Sequence, residues 1–361
     1  MTVILQTTAK MLGKWTYVAA LYTLATLAPA SCDVKQEKRS RTVWYKAKEE
    51  HQGLGLSDEE LRAIAGMSDM NHFKAVLDPI MIPRVVGTEN HAKVRKHLID
   101  TMKGLGWTVE EDVFDSNTPV GRKTFTNVIA TLDPHAPRHL VLACHYDSKI
   151  DREGTFIGAT DSAVPCAMML NMAKVMQANL ENNKKTQSDL TLQFVFFDGE
   201  EAFRTWSKTD SLYGARNLAA KLQNQLYPEV NKDGTNQLHR MDLFVLLDLL
   251  GTEDVQFFNY FKNTDRWYAR MLSYERRLSD LGMLNKRLMM FKQRSMLNPG
   301  IEDDHIPFLQ RGVPVVHLIP VPFPSVWHED SDNATALNYE TIQNLNIIMR
   351  AFVADYLHLV V

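Results

Sequence analysis

The apolar segment Leu192-Gln193-Phe194-Val195-Phe196-Phe197 runs directly into Asp198-Gly199-Glu200-Glu201. A nearly continuous apolar run of this length is typical of a central strand that is covered on both faces. Residues 140–143 and 243–247 have the same character and are also followed by polar, reactive side chains. The sequence therefore predicts a central sheet with a functional site at the ends of its strands.

Segments of strand character alternate with segments of helical periodicity along the chain. This order predicts an α/β fold, with a mixed central β-sheet flanked by helices in a single globular domain. The predicted strands span residues 107–114, 124–132, 139–145, 190–197, 242–247 and 313–319, and the predicted helices span residues 57–66, 90–102, 164–178, 210–222, 264–281 and 339–357.

The overall composition is that of an ordinary globular protein. The 361 residues include 40 Lys+Arg and 43 Asp+Glu, for a formal net charge of −3, and 45% of them are apolar. This balance provides no excess of positive charge for binding nucleic acid, and the apolar fraction excludes a disordered or collagenous chain. We expect a monomer that binds no nucleic acid.

The amino terminus has the features of a secretory signal peptide. Lys10 and Lys14 precede the apolar run 17–27, which ends at Ala28-Pro29-Ala30, and this run is too short to span a membrane. We predict a signal peptide over residues 1–30, a polar lead-in over residues 31–45 and one domain over residues 46–361, in a secreted protein without a membrane span. The alternative is a transit-like extension that directs the chain to mitochondria, with an internal start at Met11.

Secretion also bears on two cysteines and one asparagine. Cys144 and Cys166 lie inside the predicted domain, and the residues alone leave open whether they pair or remain two buried thiols. Asn333-Ala334-Thr335 is the only N-x-[ST] sequon, so Asn333 is a candidate glycosylation site.

Carboxylates and imidazoles are concentrated where the predicted strands end and in two loops. Adjacent buried carboxylates repel one another unless a cation or a shared proton lies between them. Asp, Glu and His ligands suit Zn²⁺, and a catalytic zinc site usually takes three protein ligands and keeps one open position. The residues that predict such a site are His145, Asp161, Glu200, Glu201, Asp248 and His328.

Long ordered motifs around these residues resemble the zinc-dependent aminopeptidase fold family and, more closely, its animal glutaminyl-peptide cyclotransferases. The resemblance extends from about residue 50 to the C-terminus. The motifs are Ala143-Cys144-His145-Tyr146-Asp147, Gly158-Ala159-Thr160-Asp161-Ser162, Phe197-Asp198-Gly199-Glu200-Glu201-Ala202-Phe203, Glu302-Asp303-Asp304-His305, and Phe323-Pro324 running on to Trp327-His328.

The resemblance implies a zinc aminopeptidase-like fold and a role for individual residues. One zinc per chain would be held by Asp161, Glu201 and His328. Glu200 would be the acid/base residue, in a proton network shared with Asp248 and Asp303. The other residues it implies are a substrate pocket of Trp206, Ile301, Phe323 and Trp327, the supporting histidines His145 and His317, and a disulfide between Cys144 and Cys166. Glu302 stands where this family would lead us to expect Gln.

The implied reaction is cyclisation of an N-terminal Gln of peptides or proteins to pyroglutamate with release of ammonia, with N-terminal Glu as a poorer substrate. The main alternative is a dinuclear zinc aminopeptidase, in which His145 and Asp248 would bind a second metal. Ala202-Phe203 argues against that alternative, because aminopeptidases of this fold continue with a Gly-rich segment. A third hypothesis, an inactive binding protein, is disfavoured because every candidate ligand is present.

Overall fold

The computed structural model describes residues 43–151, 153–285, 289–297 and 299–361. The predicted signal peptide and nearly all of the predicted lead-in lie outside these residues. The strands are β1 (Thr108–Thr118), β2 (Gly121–Thr131), β3 (Arg138–His145), β4 (Leu190–Phe197), β5 (Met241–Leu247) and β6 (Val315–Leu318). The α-helices are α1 (Ala47–Glu50), α2 (Asp58–Gly66), α3 (Met70–Leu77), α4 (Glu89–Gly104), α5 (Val164–Val175), α6 (Gln177–Lys185), α7 (Tyr213–Asn224), α8 (Asp265–Asp280), α9 (Ile306–Leu309) and α10 (Tyr339–Leu357).

The strands form one mixed sheet in the order β1-β2-β4-β3-β5-β6, which confirms the predicted α/β class. β1 pairs with β2, and β2 with β4, in antiparallel fashion. β3 is parallel to both β4 and β5, and β5 is parallel to β6. Every residue of β3, β4 and β5 is buried, as the continuous apolar runs predict.

The two faces of the sheet belong to two separate apolar clusters. Leu140 and Leu142 point into the cluster that includes α5 and α10, whereas Val141 and Ala143 point into the cluster that includes α7. Successive side chains of a strand alternate between faces, so a run that is apolar at every position can serve both clusters.

The helices differ from the prediction in three places. The helix predicted from residue 210 begins only at Tyr213, because the Asp210 carboxylate accepts hydrogen bonds from three backbone N–H groups of residues 203–205. The helix predicted over residues 164–178 is divided into α5 and α6 at Met176. α3, which buries Phe73, Val76 and Leu77, was not predicted.

The described part of the chain begins with a short helical segment at the boundary predicted between the lead-in and the domain. Residues 44–46 form a 3-10 helix that continues into α1, and the Trp44 ring packs edge-on against Tyr227 at a centroid distance of 5.3 Å. The contact between Trp44 and Tyr227 thus packs this charge-rich segment against the rest of the fold. In the part of the chain that the structure describes, no helix is long and apolar enough to cross a membrane.

The parallel strands bring their carboxyl ends to one edge of the sheet. His145 at the end of β3 is in register with Phe197 at the end of β4, and β5 ends beside them at Leu247. The residues that follow, among them Asp147, Glu200 and Asp248, therefore converge at this edge, as the prediction requires.

Candidate metal centre and active site

Asp161, Glu201 and His328 come together at this edge of the sheet. Each offers one ligand atom, and the three atoms lie within 4.8 Å of one another. His328 Nε2 is 3.5 Å from Asp161 Oδ2 and 3.5 Å from Glu201 Oε1. Both carboxylate oxygens of Glu201 are buried without a hydrogen-bond partner, and the nearest cation is Lys149 Nζ, 3.6 Å from Glu201 Oε2. Two carboxylates and one imidazole with orphaned oxygens fit a divalent metal such as Zn²⁺.

A tight turn after β4 aims Glu200 and Glu201 into the site. Asp147 holds this turn, because its two carboxylate oxygens accept hydrogen bonds from Glu200 N at 3.1 Å and Glu201 N at 3.2 Å. The turn also requires Gly199, whose φ is +71° and whose missing Cβ would clash with the Phe125 ring. The backbone therefore presents two adjacent carboxylates in a single orientation.

The loop that carries Asp161 is held from behind by Arg84, which is fully buried. The Arg84 guanidinium donates to Asp161 O at 3.2 Å, Gly158 O at 3.1 Å and Tyr146 O at 2.7 Å. Asp332, near His328 in the chain, accepts a hydrogen bond from Thr160 N at 2.9 Å. The loops that supply two of the candidate ligands are thus tied to each other and to the end of β3.

Glu200 is buried beside other carboxylates. Burial raises the pKa of Glu200 well above its ordinary value, and the negative charges of Glu201, Asp303 and Asp304 raise it further against the opposing effect of His145. A carboxyl group whose pKa is raised in this way holds a proton more readily than a solvent-exposed glutamate does.

The other predicted members of the proton network lie around Glu200. Asp248 lines the same cavity and accepts a short hydrogen bond from Ser162 Oγ, and burial followed by the charge of Asp303 raises the pKa of Asp248. His317 Nε2 is 2.7 Å from Asp303 Oδ2, the contact that the resemblance implies.

His145 is surrounded by carboxylates. Its Nε2 atom is 2.9 Å from Asp161 Oδ1 and 3.5 Å from Asp248 Oδ1, and its Nδ1 atom is 3.5 Å from Asp147 Oδ1. Burial alone would lower the pKa of His145, but hydrogen bonding to the three carboxylates outweighs burial and raises it well above its ordinary value. Potential ligand atoms of His145, Asp161 and Asp248 also lie within 4.8 Å of one another, so these residues could hold a second metal.

The predicted pocket residues line a cavity of about 520 Å³ above the candidate ligands. Phe323 and Trp327 meet edge to face at 4.9 Å, and Trp327 stacks on His328 at 4.2 Å. Trp206 is 37% exposed at the rim, where its Nε1 atom donates to Glu302 Oε2 at 3.0 Å. Ile301 completes the apolar wall. The cavity therefore combines three aromatic side chains and several aliphatic ones with the carboxylates of the candidate metal site.

Two other predicted sites lie nearby. The Sγ atoms of Cys144 and Cys166 are 2.7 Å apart and buried, but the structure holds them as free thiols, so the disulfide stays a prediction. Asn333 is half-buried, and its Nδ2 atom donates to Asp330 O at 2.9 Å. Glycosylation of Asn333 also remains a prediction.

Sequence reasoning missed several residues that position this site. Asp147 lies within a quoted motif, and its place directly after a buried strand was the available signal. Arg84 and Asp332 gave no signal, because their partners are backbone groups far away in the sequence.

The chain is similar to known proteins in both sequence and structure. A sequence profile of peptidase family M28 matches residues 127–353. Glutaminyl-peptide cyclotransferase of Drosophila melanogaster is 47% identical, covering 84% of this chain and 85% of its own length, and that of Bos taurus is 45% identical, covering 95% and 98%. The crystal structure of Macrostomum lignano glutaminyl cyclase matches with a TM-score of 0.76 at 41% identity, over 83% of this chain and 93% of that one. This chain therefore belongs to peptidase family M28 and, within it, to the glutaminyl-peptide cyclotransferases.

Proposed function

We propose that this protein converts the N-terminal glutamine of peptides and proteins to pyroglutamate with release of ammonia, and that it accepts N-terminal glutamate less well. The observation that carries the proposal is a buried carboxyl, Glu200, next to the Asp161, Glu201 and His328 donor set at the base of a small aromatic cavity. The names of the relatives support the same substrate class.

The same donor set would hold one zinc ion per chain. The buried oxygens of Glu201 support this assignment, because they accept no hydrogen bond and the ammonium group of Lys149, 3.6 Å from Oε2, is too far away to donate one. Bound zinc would act as a Lewis acid toward the γ-carboxamide carbonyl of the substrate.

Glu200 would move the protons of the reaction. As the α-amine nitrogen forms a bond to the γ-carboxamide carbon, Glu200 accepts a proton from that nitrogen. It then returns the proton to the amide nitrogen, whose bond to carbon breaks as ammonia leaves. The raised pKa of Glu200 suits a group that must both accept and donate. Asp248 and Asp303 would belong to the same proton network, in which neighbouring carboxylates favour the protonated form of one another.

The aromatic cavity would supply orientation. Both reacting groups belong to the same residue, so the protein has only to fold that side chain back toward its own amine. Phe323, Trp327 and Ile301 present apolar surfaces that favour the folded side chain and exclude water, which would otherwise hydrolyse the amide.

The dinuclear aminopeptidase remains a second candidate because His145, Asp161 and Asp248 could bind another metal. The segment Ala202-Phe203, which stands where aminopeptidases of this fold continue with a Gly-rich segment, argues against it.

The test uses purified protein and a Gln-initiated peptide, with product mass and zinc content measured on one sample. We expect the peptide to lose ammonia and one zinc to be present per chain. Glu200→Gln and Glu201→Gln form a matched pair: the first should lower kcat by about 10²- to 10⁴-fold and keep zinc, whereas the second should lose zinc. Two zincs per chain with release of free amino acids would support the aminopeptidase instead, and nearly full activity of Glu200→Gln would remove its assigned role.

We further propose that residues 1–30 are a secretory leader and that the mature protein is a secreted monomer with a Cys144–Cys166 disulfide and a glycan at Asn333. The adjacent Sγ atoms support the disulfide. N-terminal sequencing of protein secreted by eukaryotic cells tests the leader, and an intact N-terminus or mitochondrial import would contradict it.

A further inference from the structure

A second groove begins at the rim of the candidate active site. Its volume is about 390 Å³, and it shares Glu302 with the active-site cavity. Glu302 is therefore the point at which a chain leaving the active site would enter this groove. Three cationic side chains from three different segments line it, namely Lys208 in the loop before α7, Arg216 in α7 and Arg311 after α9.

The cations of this groove have neutral partners. Arg311 donates from Nε to Gln223 Oε1 and from Nη1 to Pro307 O, both at 2.7 Å. Arg216 donates from Nε to Ser211 O at 3.0 Å and lies over the Tyr213 ring. Within the described residues, none of the three cations forms an ion pair with a carboxylate.

The acids nearest to these cations are already engaged. Glu302 accepts a hydrogen bond from Trp206 Nε1, and Asp210, whose charge reaches Arg216, accepts from three backbone N–H groups. These hydrogen bonds come from neutral donors and leave both carboxylates charged, so three cations face two anions and the groove carries an excess of positive charge. It continues past Arg311 into a smaller hollow of about 220 Å³ that adds Lys48 and His239.

We propose that the residues of a substrate that follow its N-terminal glutamine lie in this groove, and that peptides with acidic side chains a few residues after the glutamine are the preferred substrate class. The inference rests on the proposed function. The 520 Å³ cavity and the groove share Glu302, so a peptide whose first residue lies in the cavity can continue past Glu302 into the groove. An extended chain advances about 3.3 Å per residue, so the test moves a single charge through positions 3 to 6 in turn.

The test compares Gln-initiated hexapeptide amides that carry a single Glu or a single Lys at each of positions 3 to 6. We expect kcat/KM for the best Glu peptide to exceed that of the matching Lys peptide by about three- to tenfold at low salt, mostly through KM. The preference should shrink toward unity at about 0.5 M salt, because exposed charges are then screened.

Variants separate charge from local structure. Lys208→Gln combined with Arg311→Gln should reduce the preference to below about twofold, whereas Arg311→Lys, which keeps the charge but loses the guanidinium hydrogen bonds, should retain it. Lys103→Gln is the matched control, because Lys103 is exposed at the end of α4, a helix that packs in the cluster on the other face of the sheet.

Turnover of Gln-Ala amide, which is too short to reach the groove, serves as the reference for each variant. If Gln-Ala amide is not cyclised, the proposed function fails and this inference fails with it. If it is cyclised but Glu and Lys peptides differ by less than twofold at every position, or the preference survives in the double variant, only the groove assignment is overturned.

Discussion

Replacing Arg84 with methionine should loosen the loop that carries the candidate metal ligand Asp161. Methionine keeps most of the length of the side chain but donates no hydrogen bond. The Arg84 guanidinium donates to the backbone carbonyls of five residues, Ile80, Tyr146, Ile157, Gly158 and Asp161. Two of these carbonyls keep a backbone donor in the variant, because Ile80 O also accepts from Ile82 N and Gly158 O from Ala163 N.

The size of the effect follows from these contacts. A buried polar group left without a partner costs about 1–3 kcal/mol, and several carbonyls are affected, although part of the loss is offset because a charge no longer has to be buried. We therefore expect the free energy of unfolding to fall by about 3–5 kcal/mol. At about 2 °C per kcal/mol for a domain of this size, Tm should fall by about 6–10 °C. Zinc affinity should fall by about 10- to 100-fold, the usual effect of losing a residue that orients a ligand.

Arg350 provides a matched control because it is equally buried, at 1% exposure, but its Nε and Nη2 atoms have no hydrogen-bond partner among the described residues. Burial lowers the pKa of Arg350 to about 10. Arg350→Met removes a buried charge without orphaning an acceptor, so it should leave the free energy of unfolding unchanged or raise it. Urea unfolding and competition with a zinc chelator measure both variants. Equal stabilities of the two variants, together with wild-type zinc affinity of Arg84→Met, would refute the reasoning.

Three further predictions concern stability and oxidation. Burial raises the pKa of Glu275 to about 7. The folded state therefore binds this proton more tightly than the unfolded state, and the resulting stability is complete below about pH 4.5 and falls by up to about 3 kcal/mol as pH rises to 7. Glu275→Gln should flatten this part of the pH dependence in urea unfolding, and an unchanged slope would contradict the prediction. Gly214→Ala should lower the free energy of unfolding by about 1–3 kcal/mol, because the added Cβ would lie 2.5 Å from Asp198 O and clash with Asn127. Gly104→Ala is the control, because its Cβ would meet open space. Equal Tm values of the two variants would contradict the prediction. Mass spectrometry of protein secreted by eukaryotic cells, without reduction, should show Cys144 linked to Cys166, and two alkylatable thiols would disprove the disulfide.

Much of the fold could be predicted because its signals are local. The three buried strands follow from nearly continuous apolar runs, because side chains on both faces of such a strand pack against apolar neighbours. The start of α2 follows from Ser57 and Glu60, whose side chains each bind the backbone of the other, an arrangement that depends on residues only three apart.

The differences arise where a side chain binds a distant segment. Asp210 accepts hydrogen bonds from residues 203–205 instead of starting α7, and Trp44 orders a charged segment through contact with Tyr227. Neither interaction leaves a periodic pattern, so the expected start of the helix was wrong.

The sequence by itself determined the α/β class, the positions of the strands and the set of carboxylates and imidazoles at their ends, because hydrophobic periodicity and strand order are encoded locally. Only the tertiary structure decided how these groups face one another: the contact of His328 with Asp161 and Glu201, the support of Asp161 by Arg84, and the cationic groove beyond Glu302. Each joins residues far apart in the chain through backbone carbonyls or converging loops. Such contacts depend on three-dimensional packing, so they cannot be predicted from the spacing of residues along the sequence.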